Sequence, residues 1–294
     1  MQLLVTGANG QLGFEVARLG KLRGLDLKAL TRAELDIGNR NRVKAVIEQF
    51  RPKIIVNAAA YTSVDKAENE AELAFCVNRD GPGYLAEVAR DIGAVLFHVS
   101  TDYVFDGTKV GPYVESDPVS PLGVYGASKE AGENAVREAT NRHVILRTAW
   151  VFDAHGANFV KTMLRLAKER EELRVVDDQV GCPTHAADLA DAALTLAVRI
   201  LADSFPANGF GTFHCAGSGQ TTWCGLARKT FELSVSRLGK TPTVIPIPSS
   251  EYQTPALRPA NSVLDCSLLN QVHRLKLRPW SQALEEMLSS LPNR

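Results

Sequence analysis

The sequence predicts an α/β fold that consists of a doubly wound parallel sheet and a smaller C-terminal lobe. Three observations support this prediction. Short apolar segments alternate with helical segments through the first half of the chain. A glycine-rich turn follows the first apolar segment, and a Tyr-x-x-x-Lys pair follows the longest loop of that half. We expect one domain over residues 1–150, to which later chain returns in part, and a second lobe made mainly of residues 151–294.

Apolar runs and turn residues mark the elements of the first domain. The predicted strands are Leu3–Thr6, Leu27–Leu30, Ile54–Asn57, 94–99 and 143–147. The predicted helices are Gln11–Leu22, 39–50, 70–92 and one that carries Tyr125 and Lys129. In the second lobe we expect helices near 158–168, 187–201, 222–238 and 280–288, and a proline-rich segment at 241–259 made of loops and short edge strands.

Composition excludes several classes of partner. The 33 basic and 33 acidic residues cancel, so no overall field favours nucleic acid or an anionic membrane. No apolar run approaches the roughly 20 residues that span a bilayer, and the apolar strand at Leu3 leaves no room for a secretion signal. The five cysteines are scattered, which predicts buried thiols without disulfides or zinc. We therefore expect a cytoplasmic protein that acts on a small molecule.

The turn after the first strand carries the spacing Gly7-x-x-Gly10-x-x-Gly13. Glycines at this point let the backbone approach a pyrophosphate at a helix N-terminus, where free amides and the helix dipole favour negative charge. Three glycines in a loop are also compatible with a plain turn. Their position between the first strand and the first helix favours a Rossmann-type dinucleotide site.

The second strand ends at Thr31 and Arg32. A cofactor with a free ribose hydroxyl usually meets a carboxylate here, whereas an arginine suits a 2′-phosphate. The pair thus favours NADPH, with NADH as the alternative. Asp36 follows, and it is equally compatible with a position near the adenine and with an ordinary turn.

Tyr125 and Lys129 lie four residues apart and share one face of a helix. A unit charge about 5 Å away, at an effective dielectric of about 20, stabilises a phenolate by roughly 3 kcal/mol. This predicts that Lys129 lowers the pKa of Tyr125 towards neutrality, where general acid catalysis is efficient. Thr101 ends the most apolar strand, and its hydroxyl is expected to face the same crevice.

These motifs, in this order, resemble the extended short-chain dehydrogenase/reductases. The similarity is closest to the branch that reduces 4-keto nucleotide sugars, and it runs over essentially the whole chain. It is carried by residues 59–68, 100–107, 159–163, 178–184 and 258–262.

The resemblance implies reduction of the 4-keto group of dTDP-4-dehydro-6-deoxy-L-mannose to dTDP-L-rhamnose. Tyr125 would protonate the O4 alkoxide, Thr101 would bind that oxygen, and Lys129 would hold the nicotinamide ribose. The family's contacts to cofactor match Gly10, Gln11, Leu12, Asp36, Ala60, Tyr61 and Thr62. Its contacts to substrate match Asp102 and Trp150, and Arg258 is a candidate for the diphosphate.

Some family members bind a divalent ion through three glutamates at a dimer interface. Glu15 matches the first, but Ala187 and Ser290 stand at the other two places, and the neighbouring Asp188 reads as a solvated helix residue. We therefore predict no metal site. A homodimer is the assembly that the resemblance suggests.

Three other functions compete with the reductase. A nucleotide-sugar 4,6-dehydratase needs Thr-Asp-Glu after the fourth strand, and Tyr103 stands in the third place. An epimerase would keep its cofactor and consume none. A non-catalytic regulatory subunit would bind NADP(H) without turnover, although Thr101, Tyr125 and Lys129 are all present.

Overall fold

A parallel six-stranded sheet forms the centre of the fold. The computed structural model describes residues 1–292. The strands of this sheet are β1 (Leu3–Thr6), β2 (Leu27–Leu30), β3 (Ile54–Asn57), β4 (Val95–Thr101), β5 (His143–Thr148) and, far along the chain, a strand at Gly211–His214. They lie in the order Gly211–His214, β5, β4, β3, β1, β2, and every neighbouring pair is parallel. The predicted fold class is confirmed.

Helices cover both faces of the sheet, and further helices pack together in the second half of the chain. They are α1 (Gln11–Leu22), α2 (Arg40–Phe50), α3 (Val64–Ala67), α4 (Ala71–Phe75), α5 (Gly81–Ile92) and α6 (Val124–Ala139), followed in the second half by α7 (Phe159–Leu166), α8 (Ala186–Leu201), α9 (Trp223–Leu233), α10 (Val235–Leu238), α11 (Ser267–His273) and α12 (Trp280–Ser290). A π-helical turn at Cys76–Asp80 joins α4 to α5. No helix of the described residues is long and apolar enough to cross a membrane.

The strands are apolar on both sides, as a covered parallel sheet requires. In β1, Leu3 and Val5 belong to one core, which includes residues of α1 and α8. Leu4 belongs to the opposite core, which includes residues of α2 and α5. Successive residues of this strand therefore point to opposite faces of the sheet and contribute to two separate hydrophobic cores.

The Gly211–His214 strand of the main sheet is β10. The remaining strands are short and lie outside this sheet. They are β6 (Val151–Phe152), β7 (Glu172–Val176), β8 (Val180–Gly181), β9 (Thr184–His185), β11 (Thr221–Thr222) and β12 (Thr243–Ile247). Strand β12 carries Pro246 and pairs only with β7 among the described residues, as expected for the proline-rich segment. Because β10 pairs with β5, a strand from the second half of the chain completes the main sheet. The boundary at residue 150 stays a prediction.

Two glycines allow the helix with Tyr125 to pack directly on backbone. A Cβ at Gly126 would lie 2.2 Å from the Tyr103 carbonyl oxygen, and one at Gly132 would lie 2.0 Å from that of Asn78. The start of α6 is held by Glu68, whose Oε1 accepts the Val124 amide at 2.9 Å. These contacts hold α6 against the chain that follows β4 and against the π-helical turn.

Candidate active site

A cavity of about 540 Å³ opens at the carboxyl ends of β1, β3, β4 and β5. This is the edge at which doubly wound sheets bind ligands. The predicted residues that line it are Gly10, Gln11, Leu12, Ala60, Thr62, Thr101, Asp102, Tyr125, Lys129 and Trp150. The fold thus brings together most of the site that the sequence predicts.

The glycine turn has a conformation that other residues would not tolerate. Gly7 has φ +70°, and a Cβ there would lie 2.7 Å from the Ala59 amide nitrogen. A Cβ at Gly13 would lie 2.2 Å from the Gly7 carbonyl oxygen. Gly10 precedes α1, whose first amides have no partner within the helix. The turn therefore fits a pyrophosphate, with Gly10 at the cavity and Gly13 holding the helix against the turn.

A second groove of about 360 Å³ continues from this turn towards the end of β2. The predicted residues that line it are Gly7, Gly10, Arg32, Asp36, Ala60, Tyr61 and Thr62. Arg32 is exposed and pairs with Asp36 at 3.6 Å, while Asp36 Oδ1 also accepts the Gly38 amide at 3.0 Å. Asp36 is thus both a turn residue and part of the groove.

Thr31 differs from the prediction. Its amide and hydroxyl both donate to Glu34 Oε2, at 2.8 and 2.9 Å, and it is not among the residues that line the groove. The reason is local, because the Glu34 carboxylate lies close enough to close a small turn. Arg32 is the residue of this pair that faces the groove.

Asn78 supports the site from behind its lining residues, and the sequence did not indicate this role. Its Oδ1 accepts the Tyr61 amide at 2.8 Å, and its Nδ2 donates to the Tyr61 carbonyl at 3.0 Å and to Ser128 Oγ at 3.0 Å. It is fully buried in the π-helical turn. A polar residue inside an apolar helical segment was the available signal. Asn78 ties the loop at Tyr61 to α6.

Thr101, Asp102 and Tyr125 meet at the floor of the cavity. Thr101 Oγ1 donates to Asp102 Oδ1 at 3.0 Å and accepts the Tyr103 amide at 3.2 Å. The Thr101 hydroxyl also interacts with Tyr125. Asp102 Oδ2 is buried and has no hydrogen-bond partner among the described residues. An uncommitted buried carboxylate oxygen beside a phenol suits a hydroxylated ligand.

The predicted pKa shift of Tyr125 has the wrong sign. Burial raises the pKa of this phenol to about 12, and the Asp102 carboxylate adds to the rise. The Thr101 hydroxyl opposes this rise. Lys129 is not among the groups that shift the pKa of Tyr125, and its Nζ donates to the Val99 carbonyl at 2.6 Å. Spacing on a helix showed that the two side chains share a face, but it did not show where the ammonium points.

Lys129 is itself strongly affected by its surroundings. Its side chain is among the largest that are fully buried. Burial lowers its pKa to about 8, and the Glu133 carboxylate opposes this change. A lysine at the edge of the cavity can thus exchange a proton close to neutral pH.

Trp150 is clamped between two other residues. Its ring stacks on Trp223 with centroids 3.6 Å apart, and a Cβ at Gly181 would lie 2.4 Å from Trp150 Cε2. Its φ of +46° is unusual for a bulky side chain and marks local strain. Trp150 therefore serves both the packing of the second lobe and the cavity wall, and its contact with a sugar stays a prediction.

Arg258 does not line the large cavity. Its Nη2 donates to Asp65 Oδ2 at 2.9 Å and its Nη1 donates to Thr254 Oγ1 at 2.5 Å. It also interacts with the Tyr103 hydroxyl. The guanidinium is engaged by a carboxylate 193 positions away, a pairing that the sequence did not reveal. Its assignment to a diphosphate needs a change of partner and stays a prediction.

The residues considered for a metal ion are paired with arginines. Both oxygens of Glu15 accept from Arg18, and Asp188 Oδ2 accepts from Arg278 Nε at 2.9 Å. Asp188 is also largely buried, with 18% of its side chain exposed, so it is not the solvated residue that we expected. The side chains within residues 1–292 form no cluster suited to a metal ion.

Asp102 gives the fold a pH dependence. Burial raises the pKa of its carboxyl to about 7, far above the usual value of 3.8. Between about pH 4 and 7 the folded state therefore holds a proton that the unfolded state has lost, and stability falls as the pH rises. Above pH 7 the buried carboxylate lowers the free energy of unfolding by a constant amount.

We expect Asp102→Asn to remove this cost, because the amide keeps the acceptor for Thr101 without the charge. At pH 8 the free energy of unfolding of the variant should exceed that of the parent by on the order of a few kcal/mol, which raises its unfolding temperature, with no such gain at pH 4. Thermal unfolding at the two pH values measures the difference. An equal difference in stability between variant and parent at both pH values would contradict the raised pKa of Asp102.

The comparisons with known proteins agree with one another. The family model described as RmlD substrate binding domain matches residues 1–292. The chain is 44% identical over 291 residues to the dTDP-4-dehydrorhamnose reductase of Sinorhizobium fredii, covering 99% of this chain and 98% of that protein. It is 41% identical over 303 residues to the enzyme of the same name from Escherichia coli, covering 99% and 98%.

Solved structures give the same result. A crystal structure of dTDP-4-dehydrorhamnose reductase from Bacillus anthracis, in complex with NADP, superposes with a TM-score of 0.91 at 37% identity, covering 98% of this chain and 99% of that one. A UDP-glucose 4-epimerase from Thermus thermophilus, 21% identical over 98% of each chain with a TM-score of 0.79, shares the fold alone. The chain belongs to the family of the RmlD substrate binding domain.

Proposed function

We propose that this protein is an NADPH-dependent oxidoreductase that reduces the 4-keto group of dTDP-4-dehydro-6-deoxy-L-mannose to dTDP-L-rhamnose. The observation that carries the proposal is the meeting of Thr101, Tyr125 and Lys129 in one cavity at the carboxyl edge of the sheet. Full-length similarity to reductases of this name supports it. Its place would be in nucleotide-sugar synthesis for cell-surface polysaccharide.

The cofactor fits the residues that are present. The glycine turn would hold its pyrophosphate, and the groove with Arg32 would hold the phosphorylated ribose of the adenosine half. Ala60, Tyr61 and Thr62 would line its path towards Tyr125 and Lys129. When bound, NADPH supplies the hydride that reduces the ketone.

Tyr125 would deliver the proton. An alkoxide is a stronger base than a phenolate, so transfer from Tyr125 to the newly formed alkoxide is favourable even with a pKa of about 12. That pKa also keeps the phenol protonated over the whole working range, as a reductase requires. Thr101 would hold the same oxygen, and Asp102 Oδ2 would accept a sugar hydroxyl.

A spectrophotometric assay tests the proposal. Addition of the dTDP-linked 4-keto sugar should cause stoichiometric oxidation of NADPH. An epimerase would consume no cofactor, and a regulatory subunit would bind NADPH without turnover. UDP- and GDP-linked 4-keto sugars in the same assay would show which nucleotide base the protein accepts in its substrate. A homodimer and a cytoplasmic location stay predictions.

Arg32→Ala should weaken NADPH binding much more than NADH binding. A hydrogen bond to a charged group is worth about 1.5–3 kcal/mol, and exposure of Arg32 puts its contribution at the lower end. We expect the Kd for NADPH to rise about 10-fold, less at high salt, with little change for NADH. Fluorescence titration with both cofactors measures this ratio.

Arg42→Ala is the matched control. Arg42 is a nearby arginine that donates to the Glu34 carbonyl at 3.3 Å and is not among the residues that line the groove. Its loss should leave both Kd values unchanged. An equal increase in the Kd values for NADPH and NADH in Arg32→Ala would contradict the assignment of Arg32 to the 2′-phosphate.

A further inference from the structure

A chain of buried polar groups runs beneath the cavity and ends at Lys129. Thr6, Asn57 and His98 are fully buried, and each lies on a neighbouring strand of the sheet. Thr6 Oγ1 lies 2.6 Å from Asn57 Oδ1, Asn57 Nδ2 lies 3.1 Å from His98 Nδ1, and His98 Nε2 lies 3.4 Å from Lys129 Nζ. His98 is thus a buried, hydrogen-bonded histidine that also reaches Lys129 in the site.

The orientation of the Asn57 amide follows from its neighbours. Its Oδ1 accepts the Thr6 hydroxyl and also the Ala59 amide at 3.3 Å, and a backbone N–H can only donate. The Nδ2 group must therefore face His98, and it donates to Nδ1. A ring nitrogen that accepts carries no proton, so the proton of neutral His98 lies on Nε2.

The Nε2–H bond therefore points at the Lys129 nitrogen. An ammonium has three donors and no acceptor, so a protonated Lys129 would face a second donor. A neutral amine has a lone pair that can accept this N–H while it donates to the Val99 carbonyl. The arrangement therefore makes the ammonium less favourable than it is for a lysine in water.

The other charged groups near this pair do not change that conclusion. Glu133 lies one helical turn beyond Lys129, but its carboxylate is taken by Arg147 at 2.9 and 2.7 Å and by Arg137 at 3.1 Å. His143, Arg137 and Lys129 all oppose protonation of His98, whose pKa lies well below its usual value, chiefly because of burial. His98 therefore stays neutral.

We propose that His98 is a positioning residue for Lys129: its Nε2–H, oriented by Asn57, holds the lysine nitrogen against Val99 and opposes its protonated form. The hydrogen-bond chain stands on geometry alone, while its meaning for catalysis rests on the proposed function. In that function, the Lys129 ammonium would return a proton to the phenolate left when Tyr125 has protonated the alkoxide, and the resulting amine would take a proton from solvent.

Nuclear magnetic resonance tests the proposal on the whole protein without substrate. Long-range ¹H–¹⁵N correlation on histidine-labelled protein should show His98 as the neutral Nε2–H tautomer at pH 7. Titration of ¹³C-lysine-labelled protein, with Lys129 assigned by Lys129→Met, should show a midpoint about two pH units below that of an ordinary lysine. An Nδ1–H tautomer or an imidazolium at His98 would overturn the proposal.

Asn57→Asp reverses the tautomer with little change in shape. The carboxylate accepts from Thr6, Ala59 and His98 Nδ1–H, which leaves Nε2 as an acceptor for the Lys129 ammonium. We expect the Lys129 midpoint to rise by about one pH unit or more, and the His98 ¹⁵N shifts to change to the Nδ1–H pattern.

Thr6→Val is the matched control, because it removes one hydrogen bond of the same chain while the Ala59 amide still fixes the orientation of Asn57. Its Lys129 midpoint should equal that of the parent. Equal shifts in both variants, or none in Asn57→Asp, would refute the proposal. If Asn57→Asp does not fold, the tautomer of His98 in the parent protein still tests the proposal. Lack of reductase activity would leave these midpoints intact, so the two proposals fail separately.

Discussion

Replacement of Tyr125 by phenylalanine is expected to lower kcat by about 100-fold or more, with little effect on NADPH binding. The change removes only the proton donor. The ring keeps its edge contact with Tyr103, whose centroid lies 5.9 Å away, and the fold of α6 is held by Glu68 and by backbone packing. Steady-state kinetics with NADPH titration separate the two effects.

Tyr103→Phe is the matched control, because it removes the hydroxyl of the neighbouring tyrosine. The Tyr103 hydroxyl interacts with Arg258 and not with Thr101, so kcat should stay near that of the parent. A near-normal rate in Tyr125→Phe would transfer the donor role to another group. Asp102, buried and with a pKa of about 7, would be the first candidate.

The pKa of Tyr125 shows what sequence spacing can and cannot reveal. The register of a helix is fixed by covalent geometry, so Tyr125 and Lys129 had to share a face. The direction of a long side chain depends on its acceptors, and here the acceptor is the Val99 carbonyl of another strand. Desolvation then decided the sign, and burial cannot be read from spacing.

The sheet also has some features that the local sequence reveals and others that it does not. The bounds of β1, α1, β2 and β3 follow from local apolar runs and turn residues, and the structure reproduces them. The pairing of β10 with β5 and that of Arg258 with Asp65 join residues far apart in the chain. Such contacts depend on the assembled fold and leave no local signature. The π-helical turn at Asn78 is of this kind, since its hydrogen bonds lie in the Tyr61 loop and α6.

The largest effect on stability is expected from Glu133→Leu. The Glu133 carboxylate is fully buried, accepts two hydrogen bonds from Arg147 and one from Arg137, and has a pKa held low by Arg147 against the effect of burial. Arg147 is also buried, with 4% of its side chain exposed. Removal of the carboxylate leaves an uncompensated guanidinium in the interior, which typically costs about 3–5 kcal/mol.

Urea unfolding of four variants, which are Glu133→Leu, Arg147→Met, the double variant and a control, separates the ion pair from the loss of packing. Glu171→Ala is the control, because its 2.6 Å pair with Lys240 is exposed on both sides, and no measurable change is expected. The double variant Glu133→Leu/Arg147→Met removes both charges, and it should recover most of the stability lost in the single variant. If the double variant is as unstable as the sum of the single ones, the two charges are not coupled. Recovery would mean that the pair matters for the position of α6, which carries Tyr125 and Lys129, more than for net stability.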